Sequence, residues 1–124
     1  MNSNNQKLIA AEILLPSGET NLNKINLISG AITLPFVRMV YESNAGDVSG
    51  VQRMYNLLSG LFFSGQYQEL YDSLKEVYDD MGYQFDSTVS LIQDNQDALV
   101  YFLESFLMDY EDIMEDYRIE KSAS

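Results

Sequence analysis

The chain has 124 residues, 46% of them apolar, and a formal net charge of −12. That length and apolar share describe one ordinary folded domain rather than a disordered chain. Neither cysteine nor histidine is present, which excludes disulfides, thiolate metal sites, a Ser–His–acid triad within one chain and the commonest general base.

The opening MNSNNQK is polar and leads into no apolar stretch of the kind a secretory signal needs. No segment approaches the roughly 18 consecutive apolar residues of a spanning helix. A soluble cytoplasmic protein is expected, with no membrane partner. The charge is unevenly placed. Up to residue 68, Glu12, Glu19, Glu42 and Asp47 balance Lys7, Lys24, Arg38 and Arg53, so the other 15 acids face only Lys75, Arg118 and Lys121. The whole excess of −12 therefore lies in residues 69–124. Such a surface repels nucleic-acid phosphates and anionic lipids and attracts a basic or polar protein.

In chain order, the apolar run Leu8–Leu15 ends in Pro16-Ser17-Gly18, which suits a type I turn over Leu15–Gly18. Residues Thr20–Ile28 alternate loosely through Leu22, Ile25 and Leu27, so the pair reads as a β-hairpin. Gly30 breaks the run. Thr33 then reads as a helix cap with Pro35 in the first turn, leading Phe36, Val37, Met39, Val40 and Tyr41 into a short helix that stops near Asn44-Ala45-Gly46. A second helix starts after Asp47 or Ser49, carries Val51, Met54, Tyr55, Leu58, Leu61 and Phe62 at helical spacing, and ends at Gly65. The third carries Tyr67, Leu70, Tyr71, Leu74, Val77, Tyr78 and Met81, with Gly82 where a left-handed cap belongs. The fourth and longest begins at Asp94 or slightly earlier, with Asp97 near its positive end. Its stripe is Leu99, Phe102, Leu103, Phe106, Tyr110, Ile113, Met114 and Tyr117, and residues 119–124 read as a flexible tail. The expected fold class is α+β, mostly α: an N-terminal hairpin packed on about four helices in one domain spanning 1–118.

No constellation points to catalysis. The paired carboxylates Asp79-Asp80, Glu111-Asp112 and Glu115-Asp116 fall on a solvated helix face rather than in a cleft that would push their pKa values apart. Asp94-Asn95-Gln96-Asp97 lacks the glycine of a calcium loop, and Ser43–Gly50 lacks the lysine of a phosphate loop. No catalytic residue, metal or cofactor is expected. Nine tyrosines and six phenylalanines can build a binding face, but Tyr67, Tyr71, Tyr78, Tyr110 and Tyr117 sit at core-stripe positions. The segment Leu57–Phe63 (LLSGLFF) is apolar nearly all round its helix, as a deeply buried element or a partner-facing one would be. Two candidate partner-binding sets follow. One is Leu57, Leu58, Leu61, Phe62, Phe63 and Tyr67; the other is Glu104, Glu111, Asp112, Glu115 and Asp116.

The PSGE turn, the apolar helix running into Leu61-Phe62-Phe63-Ser64-Gly65-Gln66-Tyr67, and the acidic helix with Leu70-Tyr71-Asp72-Ser73-Leu74 resemble the tail assembly chaperones of long-tailed phages of Gram-positive bacteria. The resemblance covers residues 8–82. It implies a non-enzymatic chaperone in the host cell cytoplasm that coats and solubilises the helical tape measure protein, recruits tail tube protein and self-associates. Many such chaperones are made in two lengths through a translational frameshift, so a slippery heptamer near Glu120-Lys121 would favour this reading. A second reading is an acidic inhibitor of the anti-restriction or anti-CRISPR type. In it, Glu104, Glu111, Asp112, Glu115 and Asp116, repeating at about the 5–6 Å of a helical turn, mimic strand phosphates before a basic host nuclease. A third is a structural or regulatory subunit that dimerises through its second helix.

Overall fold

The computed structural model describes residues 21–80, 82, 92 and 95–123. Over these residues the chain forms four helices and no strand: α1 Leu22–Ser43, α2 Val48–Phe63, α3 Tyr67–Asp80 and α4 Gln96–Ala123. The α+β expectation is therefore corrected. Residues 22–28, assigned above to the second strand of a hairpin, are the first two turns of α1; the expected first strand and its turn lie outside the described residues.

The reason is visible in the spacing of the buried side chains. Ile25, Ser29, Ile32, Phe36 and Val40 are buried at steps of four, three, four and four, which is a helical face. In a strand Ile25 and Leu27 would share a face; here Ile25 is fully buried and Leu27 is 72% exposed. The same stripe carries the helix through Gly30 and Pro35, which were expected to break it and to open it. Pro35 lies inside the helix and cannot donate to the carbonyl of Ala31. Gly and Pro cost a helix interior about 1 and 3 kcal/mol, and the apolar burial that continues on either side offsets them. The true start is capped by Asn21, whose side chain accepts the N–H of Lys24 at 3.4 Å.

The remaining helices stand where the periodicity places them. Asp47 caps α2 by accepting the N–H of Ser49 at 2.9 Å. Gly65, at φ +78°, turns the chain between α2 and α3. Asn95 accepts the N–H of Ala98 at 3.1 Å and caps α4, with Asp97 in its first turn. Helix α4 runs on to Ala123, through the stretch expected as a tail.

Helix α4 is the spine. It packs along α1 and also against α2 and α3. The pairs Asn26–Ser105, Ser29–Asp109 and Tyr41–Tyr117 advance together, so α1 and α4 run in the same direction. On the other flank, α2 meets α4 through a bond from the Tyr110 hydroxyl to the carbonyl of Val51 at 2.7 Å. Phe36 sits among Tyr78, Phe106 and Tyr110, with ring centroids 5.7, 5.2 and 6.2 Å away. That cluster joins three helices. Among the described residues six aromatic rings are buried in this one core, Tyr71, Tyr78 and Tyr110 among them as the stripe predicts.

Candidate functional site

Four of the eleven residues expected to bind a partner meet in one place: Phe62 and Phe63 from the apolar set and Glu104 and Glu111 from the acidic set. Helices α2 and α4 leave an open groove of about 350 Å³, lined by Tyr55, Phe62 and Phe63 from α2 and by Glu104, Leu107, Met108 and Glu111 from α4. The α2 residues span positions i, i+7 and i+8; those of α4 span i, i+3, i+4 and i+7. Two turns of each helix thus form the two walls, about 10.5 Å long. Tyr55 lies beside Glu111 and Phe62 shares the groove with Glu104, so the helices run antiparallel along it.

Within the apolar set the outcomes diverge. Leu58 is fully buried and is a core residue, unavailable to a partner. Leu61, Phe62 and Tyr67 are half-buried against the core, and Tyr67 packs edge-on against Phe62 at 5.4 Å. Leu57 is 61% and Phe63 82% exposed. One face of LLSGLFF is therefore buried and the other is exposed to solvent. Phe63 rests edge-on against Phe62 at 5.5 Å and otherwise stands in solvent. Leu57 does not line the groove.

Of the acidic set, all five carboxylates are exposed, but only Glu104 and Glu111 border the groove. Glu111 accepts a bond from the Tyr55 hydroxyl at 3.3 Å. Burial, and then the charge and hydrogen bond of Glu111, hold that hydroxyl above its ordinary pKa. Glu115 pairs with Arg118 at 3.4 Å on the same helix, an exposed pair of small energetic weight. Asp112 and Asp116 lie away from the groove.

Tyr55, Leu107 and Met108 were not singled out as binding residues. Met108 is the informative omission: it is 61% exposed, between Glu104 and Glu111 on the helix surface. Its signal was present as an apolar residue off the α4 core stripe, inside an acidic face. Met108 and Glu104 also border a second hollow, of about 260 Å³, on the α1 side of α4. There Asn26 accepts from the Ser105 hydroxyl at 2.8 Å and Asp109 from the Ser29 hydroxyl at 3.3 Å. Burial raises the Asp109 pKa; Ser29 opposes the shift and the nearby Asp112 adds to it.

No protein-family model matches the chain, and neither does any curated protein or any solved structure. Among the described residues no three carboxylates converge in a way that would hold a metal ion, and no helix is long and apolar enough to cross a membrane. The arrangement offers apolar contact bordered by negative charge.

Proposed function

We propose that this is a non-enzymatic binding protein that holds a helical segment of another protein. More specifically, it acts as a tail assembly chaperone keeping the tape measure protein soluble in the host cytoplasm, with tail tube protein and further copies of itself as additional partners. The observation that carries the reading is the solvent-facing pair Phe63 and Met108, 82% and 61% exposed on the two sides of one interhelical groove. Here, unlike the singly exposed Leu27 and Leu34, two large apolar side chains face one concave surface, the form an unfilled interface takes. The resemblance to tail assembly chaperones supports the finer statement through Leu61–Leu74, which span the end of α2, the Gly65 turn and the start of α3. Its hairpin component finds no support in residues 22–28, which are helical.

The inhibitor reading is less well supported, because Met108 interrupts the carboxylate row between Glu104 and Glu111 where a phosphate mimic needs continuous charge. Co-expression with the tape measure protein tests the proposal. The expected result is a soluble client that co-purifies with this chain in a stoichiometric complex. A client that stays insoluble and unbound, with this chain folded and abundant, overturns it.

A further inference from the structure

We infer that the α2–α4 groove receives one amphipathic α-helix with an apolar centre and a lysine or arginine on each side of it, about two helical turns apart. This rests on the reading of the protein as a helix-binding chaperone, and it adds the chemistry of the bound segment.

Three observations lead to it. First, the walls are two antiparallel helices, and a third helix laid between them presents side chains at i, i+3, i+4 and i+7 to such a surface. Second, the centre of the groove is apolar: Leu107 forms the floor, Phe62 and Phe63 one side, Met108 the other. Met108, unbranched and polarizable, adapts to more than one apolar partner side chain. Third, the ends are negative. Glu104 and Glu111 are seven residues apart on α4, so about 10.5 Å of helix axis separates them. Among the described residues neither carboxylate makes an ion pair. Cations at i and i+7 of the incoming helix meet them both while the residues between fill the centre.

Charge complementarity selects the class of occupant. With −12 overall, an acidic helix or a nucleic acid is repelled, and a second copy of this strongly acidic chain is disfavoured at this position. The Tyr55 hydroxyl, already bonded to Glu111, fixes the direction in which that carboxylate is offered.

The test uses the full chain and three synthetic helical peptides that share one apolar stripe. One carries lysine at i and i+7, one glutamate there, and one glutamine. Binding is read by fluorescence anisotropy at two salt concentrations, and the fold of each variant is checked by circular dichroism. The lysine peptide is expected to bind at least tenfold more tightly than the glutamate peptide, and to weaken as salt rises. The double variant E104Q/E111Q is expected to lose roughly tenfold for the lysine peptide and nothing for the glutamine peptide. M108S/F63S is expected to weaken all three while leaving the helical spectrum unchanged. Equal binding of the three peptides, or indifference of the lysine peptide to E104Q/E111Q, overturns the inference. If the tape measure protein co-purifies undiminished with M108S/F63S, the chaperone reading stands and the groove inference fails. If the lysine peptide behaves as expected but the tape measure protein does not bind, the groove inference stands and the client assignment fails.

Discussion

The hydroxyl of Tyr78, on α3, donates a hydrogen bond to the main-chain carbonyl of Ile32, three residues before Pro35 in α1. The same hydroxyl lies against the N–H of Phe36, the residue after the proline; burial nonetheless raises its pKa strongly. A tyrosine from a neighbouring helix thus enters the helical ladder next to the place where proline has removed a donor. The contact ties α3 to the middle of α1.

Tyr78→Phe should lower stability by about 1–2 kcal/mol, the cost of depriving a buried carbonyl of its donor. Urea unfolding followed by circular dichroism measures this. An unchanged midpoint would mean that the N–H of Phe36 takes over the Ile32 carbonyl in the variant.

Pro35→Ala should act in the opposite direction and raise stability by about 1–3 kcal/mol, because it returns an N–H to Ala31 and removes the ring from the helix interior. Combining it with Tyr78→Phe gives a double-mutant cycle. If the hydroxyl compensates for the proline, the cost of losing it shrinks in the alanine background, and strict additivity would separate the two features.

These residues also show what could be read from the sequence and what could not. Helices α2, α3 and α4 announce themselves because their apolar spacing, caps and glycine stops agree. Asp47, Gly65, Gly82 and Asp97 all stand where the local chemistry puts them. Helix α1 is hidden because Gly30 and Pro35 are local signals that argue for boundaries, and tertiary burial overrides both. The longer signal was there: Ile25, Ile32 and Phe36 lie at i, i+7 and i+11 on one helical face, but the position between them is Ser29, and a serine is a weak marker of burial. About half of the α2–α4 groove was legible from residue type alone. Phe62, Phe63, Glu104 and Glu111 stand out by type, whereas the meeting of α2 with α4 depends on the Tyr110–Val51 contact, which no local pattern encodes.

Gly50 gives a sharper test of the α1–α2 corner. It is buried, and a Cβ at this position would lie 2.2 Å from Cγ and 2.7 Å from Cβ of Asn44. The Asn44 side chain donates to the Val40 carbonyl at 2.7 Å and helps close the end of α1. Gly50→Ala should therefore cost about 1–3 kcal/mol, through overpacking and the displaced cap together. Thermal unfolding measures it, and Gly60→Ala, where a Cβ meets nothing within 4 Å, is the matched control expected to be neutral or stabilising.

Asp109 makes stability depend on pH with a definite sign. Its pKa is raised in the folded protein, first by burial, with Ser29 opposing and Asp112 reinforcing the shift. Below the ordinary carboxylate pKa of 3.8 both states carry the proton and the shift has no effect. As pH rises through that value the unfolded chain ionises first, so stability falls until the folded carboxyl also ionises, and then levels off. Asp109→Asn removes this penalty and should raise the melting temperature at pH 7 by about 1–2 °C, since much of the group is still open to solvent. The gain should vanish below about pH 4. A gain that persists there would trace to some other cause.

The two faces of the apolar segment Leu57–Phe63 should respond differently to substitution. Leu58 is fully buried, and Leu58→Ala should cost about 2–5 kcal/mol through lost transfer energy and the cavity left behind. Phe63 is 82% exposed, and Phe63→Ser should change stability by no more than about 0.5 kcal/mol. Denaturant unfolding of the two variants side by side makes the comparison. A large loss for Phe63→Ser would give that ring a structural duty and remove the reason to regard it as waiting for a partner. A near-neutral result leaves a phenylalanine that the fold does not need beside a methionine that is itself 61% exposed, which is what the proposed docking surface requires.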